Sequence, residues 1–108
     1  MVNSMVIYNK LVRDKVPSCI EAEGKICYTK NLDGQEYIMA LEEKLIEEVN
    51  EYLQSHNIME LVDVVEVIYG IVASMGVDKK EFELYRLKKL SDRGGFNDKI
   101  MLLEVVSS

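Results

Sequence analysis

The chain has 108 residues, a formal net charge of −6, 48% apolar residues and 30% charged ones. That length holds one domain spanning 1–108, and the balance is that of a compact soluble protein rather than a disordered one. The acidity excludes a general phosphate-backbone binder, so polymeric nucleic acid is not an expected partner, and no apolar run approaches the ~20 residues of a membrane span.

The opening, Tyr8-Asn-Lys-Leu-Val-Arg-Asp-Lys-Val-Pro17, reads as an extended lead-in and then a helix start. Asp14 is positioned to cap, Pro17 suits a first turn, and Gly24 ends the helix after Ile20 and Ala22. No basic-then-apolar leader precedes it, since Met5–Ile7 is too short. Cys19 and Cys27 lack C-x-x-C spacing and a histidine cluster, which predicts reduced thiols in a cytoplasmic protein. Residues 25–31 are expected to be extended.

Asp33-Gly-Gln-Glu36 has the form of a capping box opening a second helix. Apolar residues then recur at Tyr37/Ile38, Leu41, Leu45, Val49 and Tyr52/Leu53, a helical period. Glu48, three after Leu45 and four before Tyr52, borders that stripe. Gln54-Ser-His-Asn57 is the most polar break in the region, and a reversal is expected at Ser55–His56. His56, the only histidine, is then a loop residue.

The third helix, Ile58 to Met75, is apolar at nearly every position. Its polar or small residues, Glu60, Asp63, Glu66, Gly70 and Ser74, trace one narrow band. A helix apolar all round is buried, so the band is expected to line a cleft or a subunit interface. Gly76 ends it, and Asp78 with Glu81 forms another capping box. A fourth helix, Lys79 to Asp92, is expected to turn Phe82, Tyr85, Leu87 and Leu90 inward. Arg93-Gly-Gly-Phe96 follows, its glycines allowing positive φ, and the apolar tail Lys99–Val106 is expected to dock on the bundle or a neighbouring subunit. The fold class is therefore all-α, a small bundle built on an antiparallel helix hairpin.

Residues 42–66 hold eight acids against Lys44 alone. Glu48 with Glu51, and Glu60 with Asp63, are spaced i, i+3, on one helix face each. In a hairpin reversing at Ser55–His56, residues whose numbers sum to 111 face each other: Glu48 meets Asp63, and Glu51 meets Glu60. Four ionised carboxylates at one level need partners. All-oxygen ligands point to a hard dication, Mg²⁺, with Mn²⁺ as substitute. A di-iron bundle would require Glu-x-x-His pairs, which are absent. Glu42, Glu43 and Glu47 suit a solvated face. Such a metal serves a phosphate substrate, making Lys10, Arg13, Lys15, Lys89 and Arg93 candidate phosphate-binding residues. Phe96 and Tyr8 either stack on a base or belong to the core.

Lys44-Leu-Ile-Glu-Glu-Val-Asn-Glu51 followed by Glu60-Leu-Val-Asp63 resembles the paired motif of the all-α NTP pyrophosphohydrolase (MazG-like) superfamily. The lead-in decapeptide and Arg93-Gly-Gly-Phe96 resemble its small phosphoribosyl-ATP pyrophosphohydrolase-like branch, and the resemblance covers about residues 7–104. It implies Mg²⁺-dependent cleavage between the α and β phosphates, giving a nucleoside monophosphate and pyrophosphate in a housekeeping role. Glu48, Glu51, Glu60 and Asp63 are then the metal ligands, with Glu47 and Glu48 catalytic and Glu47 holding or deprotonating the attacking water. It also implies a homodimer or homotetramer that covers the third helix. Phosphoribosyl-ATP hydrolysis in histidine synthesis, and a non-catalytic nucleotide-binding or oligomerisation module, are the alternatives.

Overall fold

A computed structural model of the chain describes residues 4–107. Four helices follow in order: α1 (Val16–Ala22), α2 (Gly34–Ser55), α3 (Ile58–Ser74) and α4 (Lys79–Arg93). No strand occurs among the described residues, so the fold is all-α and compatible with a small helical bundle.

Helix α1 begins with Pro17 in its first turn, where a missing N–H leaves no acceptor stranded. Lys15, not Asp14, occupies the N-cap position, and no side chain caps the helix. Backbone bonds close that turn instead, from Val16 N–H to the Arg13 carbonyl (3.0 Å) and from Cys19 N–H to the Lys15 carbonyl (3.1 Å). Gly24, at φ +83°, ends the helix as expected, and residues 25–33 run outside any regular element.

The capping box expected at Asp33–Glu36 does not form. Asp33 is the N-cap residue, but its side chain accepts no backbone bond, and Glu36 pairs with Lys30 at 3.1 Å. Gly34 carries φ +52° at the first helical position.

α2 and α3 form the hairpin that positions everything else. α2 ends in His56, which adopts the left-handed conformation and donates its N–H to the Tyr52 carbonyl at 2.7 Å. Asn57 caps α3, its Oδ1 accepting the Met59 N–H at 2.8 Å. The chain thus reverses at His56–Asn57, one residue later than expected, without disturbing the register. A Cβ built on Gly70 would lie 3.0 Å from Leu41 Cδ2, so 41 and 70 face each other and their numbers sum to 111. A Cβ at 70 would require the Leu41 side chain to give way by a few tenths of an ångström.

Leu41 and Val72 are the buried apolar residues among those described. This core is thin, and α3 is not covered on all sides as its composition predicts. Ile58 is 69% exposed and Val62 47%; with Leu61, Val65 and Glu66 they line an open apolar groove. A single two-helix layer covers only one face of a helix that is apolar on several.

Gly76 at φ +80° closes α3. Asp78 then caps α4, its Oδ1 accepting the Glu81 N–H at 2.8 Å. Glu81 does not complete the box, because its carboxylate accepts the Tyr85 hydroxyl at 2.6 Å. Phe82 is half-buried against the hairpin side of α4, but Tyr85, Leu87 and Leu90, expected to point inward, are exposed. One short helix leaning on the end of α3 cannot cover them. Of the two glycines that follow, Gly94 alone takes positive φ. The tail from Lys99 runs outside any regular element and lies exposed, not docked on its own bundle. The molecule measures 75 × 32 × 23 Å with a radius of gyration of 19.3 Å, against about 13 Å for a compact domain of this size.

Candidate metal centre

Glu48 lies on the face of α2 that packs on α3, where the apolar stripe places it. It is 6% exposed. Its Oε1 faces Lys44 Nζ at 3.4 Å, while its Oε2 has no hydrogen-bond partner. Burial pushes this carboxyl above its ordinary pKa, the Glu51 charge adds to the shift, and Lys44 opposes it. An orphaned buried carboxylate oxygen carries a desolvation cost of several kcal/mol unless a cation or proton meets it.

Acidic side chains converge on it from both helices. Glu48, Glu60 and Asp63 form one trio, and Glu47, Glu48 and Glu51 a second; within each, one oxygen per residue lies within 4.8 Å of the others. Glu48 and Asp63 therefore meet across the hairpin in the 111 register. Glu60 joins them, whereas Glu51 groups with its α2 neighbours, so the four acids span two overlapping trios rather than a single level. A Mg²⁺ ion about 2.1 Å from each ligand holds their oxygens within roughly 4.2 Å of one another. The trios, at up to 4.8 Å, lie close to that span, and the donor set is all oxygen, so the residues fit a hard dication.

Three cations border the cluster. Lys10 Nζ donates to Glu47 Oε1 at 2.8 Å, Arg13 Nη2 to Asp63 Oδ1 at 2.7 Å, and Lys44 Nζ lies 3.1 Å from Glu47 Oε2. The Lys10 bond holds the Glu47 carboxyl below its ordinary pKa against a smaller burial effect, with Lys44 adding to the lowering. Reciprocally, Glu47 raises the Lys10 ammonium. Glu47 is thus kept ionised while Glu48, one residue on, is biased toward its neutral form.

Of the five candidate phosphate-binding bases, Lys10 and Arg13 reach the centre. Lys15 is exposed at the start of α1. Lys89 and Arg93 line a shallow groove along α4 with Tyr85, Lys88 and Asp92, and neither pairs with an acid of the centre. Lys44 was overlooked by reading the acids alone; its i, i+3 and i, i+4 spacing to Glu47 and Glu48 is the signal that marks it. Tyr8 and Phe96 are exposed and so not core, with Lys10 Nζ 6.0 Å from the Tyr8 ring centroid. His56 sits in the hairpin loop with its ring edge-on to Tyr52, and both cysteines are free thiols. Among the described residues no helix is long and apolar enough to cross a membrane. Comparison with protein-family models, with curated proteins and with solved structures finds no match to this chain.

Proposed function

We propose that the chain is a cytoplasmic, Mg²⁺-dependent nucleoside triphosphate pyrophosphohydrolase, cleaving the α–β phosphoanhydride to a nucleoside monophosphate and pyrophosphate. The supporting observation is the buried, unpartnered Glu48 Oε2 at the junction of two carboxylate trios. In this reading Glu48, Glu51, Glu60 and Asp63 hold the dication, with Mn²⁺ as a substitute. When bound, the ion neutralises charge on the phosphates and acidifies water. Glu47, kept ionised by Lys10 and Lys44, orients the attacking water and accepts its proton. Lys10 and Arg13 stand on the side from which a polyphosphate would approach, and guanidinium and ammonium groups stabilise the pyrophosphate as it leaves. No covalent nucleophile is required.

The exposed apolar residues of α3 and the tail support self-association as a homodimer or homotetramer. Sedimentation of the intact chain checks this, and a stable monomer would count against it. For the activity, pyrophosphate release is measured across a panel of nucleoside triphosphates with Mg²⁺ and with chelator. Release that requires the metal and falls in Glu48→Gln and Asp63→Asn is expected. Nucleotide binding without release on every substrate would replace the enzyme by a binding module.

A further inference from the structure

Two ion pairs tie the lead-in to the acidic centre from opposite helices. Lys10 grips Glu47 on α2 at 2.8 Å, and Arg13 grips Asp63 on α3 at 2.7 Å. Leu11 between them is half-buried, and no helix begins until Val16. Asp63 is also a member of the Glu48–Glu60–Asp63 trio. A carboxylate that a dication would take is therefore already paired with a guanidinium, while Glu48 of the same trio, more than nine-tenths buried, keeps its Oε2 unpartnered. With Arg13 away, the five carboxylates of the two trios against Lys10 and Lys44 leave three formal negative charges, more than a dication needs to be attracted there. Two cations cannot share Asp63 without mutual repulsion at close range.

We propose that segment 8–15 is a strap displaced by metal: Arg13 holds Asp63 while the centre is empty of a dication, and the ion's arrival releases it. Lys10 remains on Glu47 and acts as the hinge. The freed guanidinium is then available to a phosphate oxygen, a bidentate partner that it suits, so metal entry precedes productive substrate binding. This rests on the metal centre proposed above.

The test uses the full chain and Mn²⁺ alone, by titration calorimetry, together with hydrogen-exchange mass spectrometry of the lead-in. Arg13→Gln is expected to bind Mn²⁺ about two- to fivefold more tightly than the parent, the range set by loss of one surface ion pair. Lys30→Gln, which removes the same charge from the partner of Glu36, a residue about 18 Å along α2 from Glu48, leaves the affinity unchanged. Mn²⁺ should accelerate exchange of the Val16 amide, which donates to the Arg13 carbonyl at 3.0 Å, in the parent but not in Arg13→Gln. Weaker or equal binding by Arg13→Gln, or exchange that Mn²⁺ slows or leaves alone, overturns the strap while the metal centre stands. Failure of both parent and Arg13→Gln to bind Mn²⁺, or Glu48→Gln binding as the parent does, removes the metal centre and the strap with it.

Discussion

The α2–α3 hairpin and α4 are both rich in charge, yet they use it differently. Each buried residue among those described, Leu41, Glu48 and Val72, belongs to the hairpin, and α4 contributes none. Besides the local pairs of Lys44, hairpin acids Glu47 and Asp63 are paired by residues far away in sequence, Lys10 and Arg13. On α4 the pairs are local, Arg86 with Glu83 and Lys88 with Asp92, one turn apart and facing water. A local pair solubilises a helix face and is worth little. A carboxylate pressed against a core, as Glu48 is, with its neighbours Glu47 and Asp63 reached by distant cations, has to be explained by something the chain does.

The sharpest way to break that contrast is Glu48→Gln. It should lower metal-dependent turnover by about 100-fold or more, beyond the 10–100-fold typical of outer-shell partners, as read by pyrophosphate release. In chelator the same change should act on stability through pH. Because the folded-state pKa of Glu48 is raised, the folded protein binds the extra proton, and stability is lost as pH rises from the unfolded pKa through the folded one. Melting curves of the parent between mildly acidic and neutral pH should show that loss, and Glu48→Gln should reduce it. Glu47 contributes in the opposite sense: its pKa is lowered, so its contribution is present above the unfolded value and lost as pH falls through the folded one.

Packing at the hairpin crossing comes next. Leu41→Ala should cost about 2–4 kcal/mol in denaturant unfolding, the usual range for a buried leucine. Gly70→Val should cost about 1–3 kcal/mol through the clash with Leu41 Cδ2. A smaller effect separates two similar caps: Asp78→Ala should cost about 1 kcal/mol because its side chain accepts the Glu81 N–H. Asp33→Ala should leave the melting temperature nearly unchanged, since Asp33 caps nothing. Smallest of all, Arg86→Ala on α4 should shift neither melting temperature nor turnover.

Much of the fold was legible because its causes are local. Gly24, Gly76 and Asp78 end or begin helices through their own backbone or side-chain geometry, and the polar break at 54–57 marks the reversal. Asp33 misled because its capping role depends on backbone geometry, which identity alone does not set. Tyr85, Leu87 and Leu90 misled because apolar periodicity declares a face without saying whether anything covers it. The acids of the centre stood out by register; Lys44 did not, being judged as a lone base rather than as a neighbour of Glu47 and Glu48.

Helix periods and the antiparallel register are short-range properties, and residue order alone was enough to determine them, down to the facing of 48 with 63. Which acids share a trio, which of five bases reach them, and which single oxygen is left buried without a partner were decided only when the lead-in, α2 and α3 came together. Those outcomes depend on distances between groups 37 and 50 residues apart, and on water being excluded between them. Neither quantity is a property of any stretch of chain on its own.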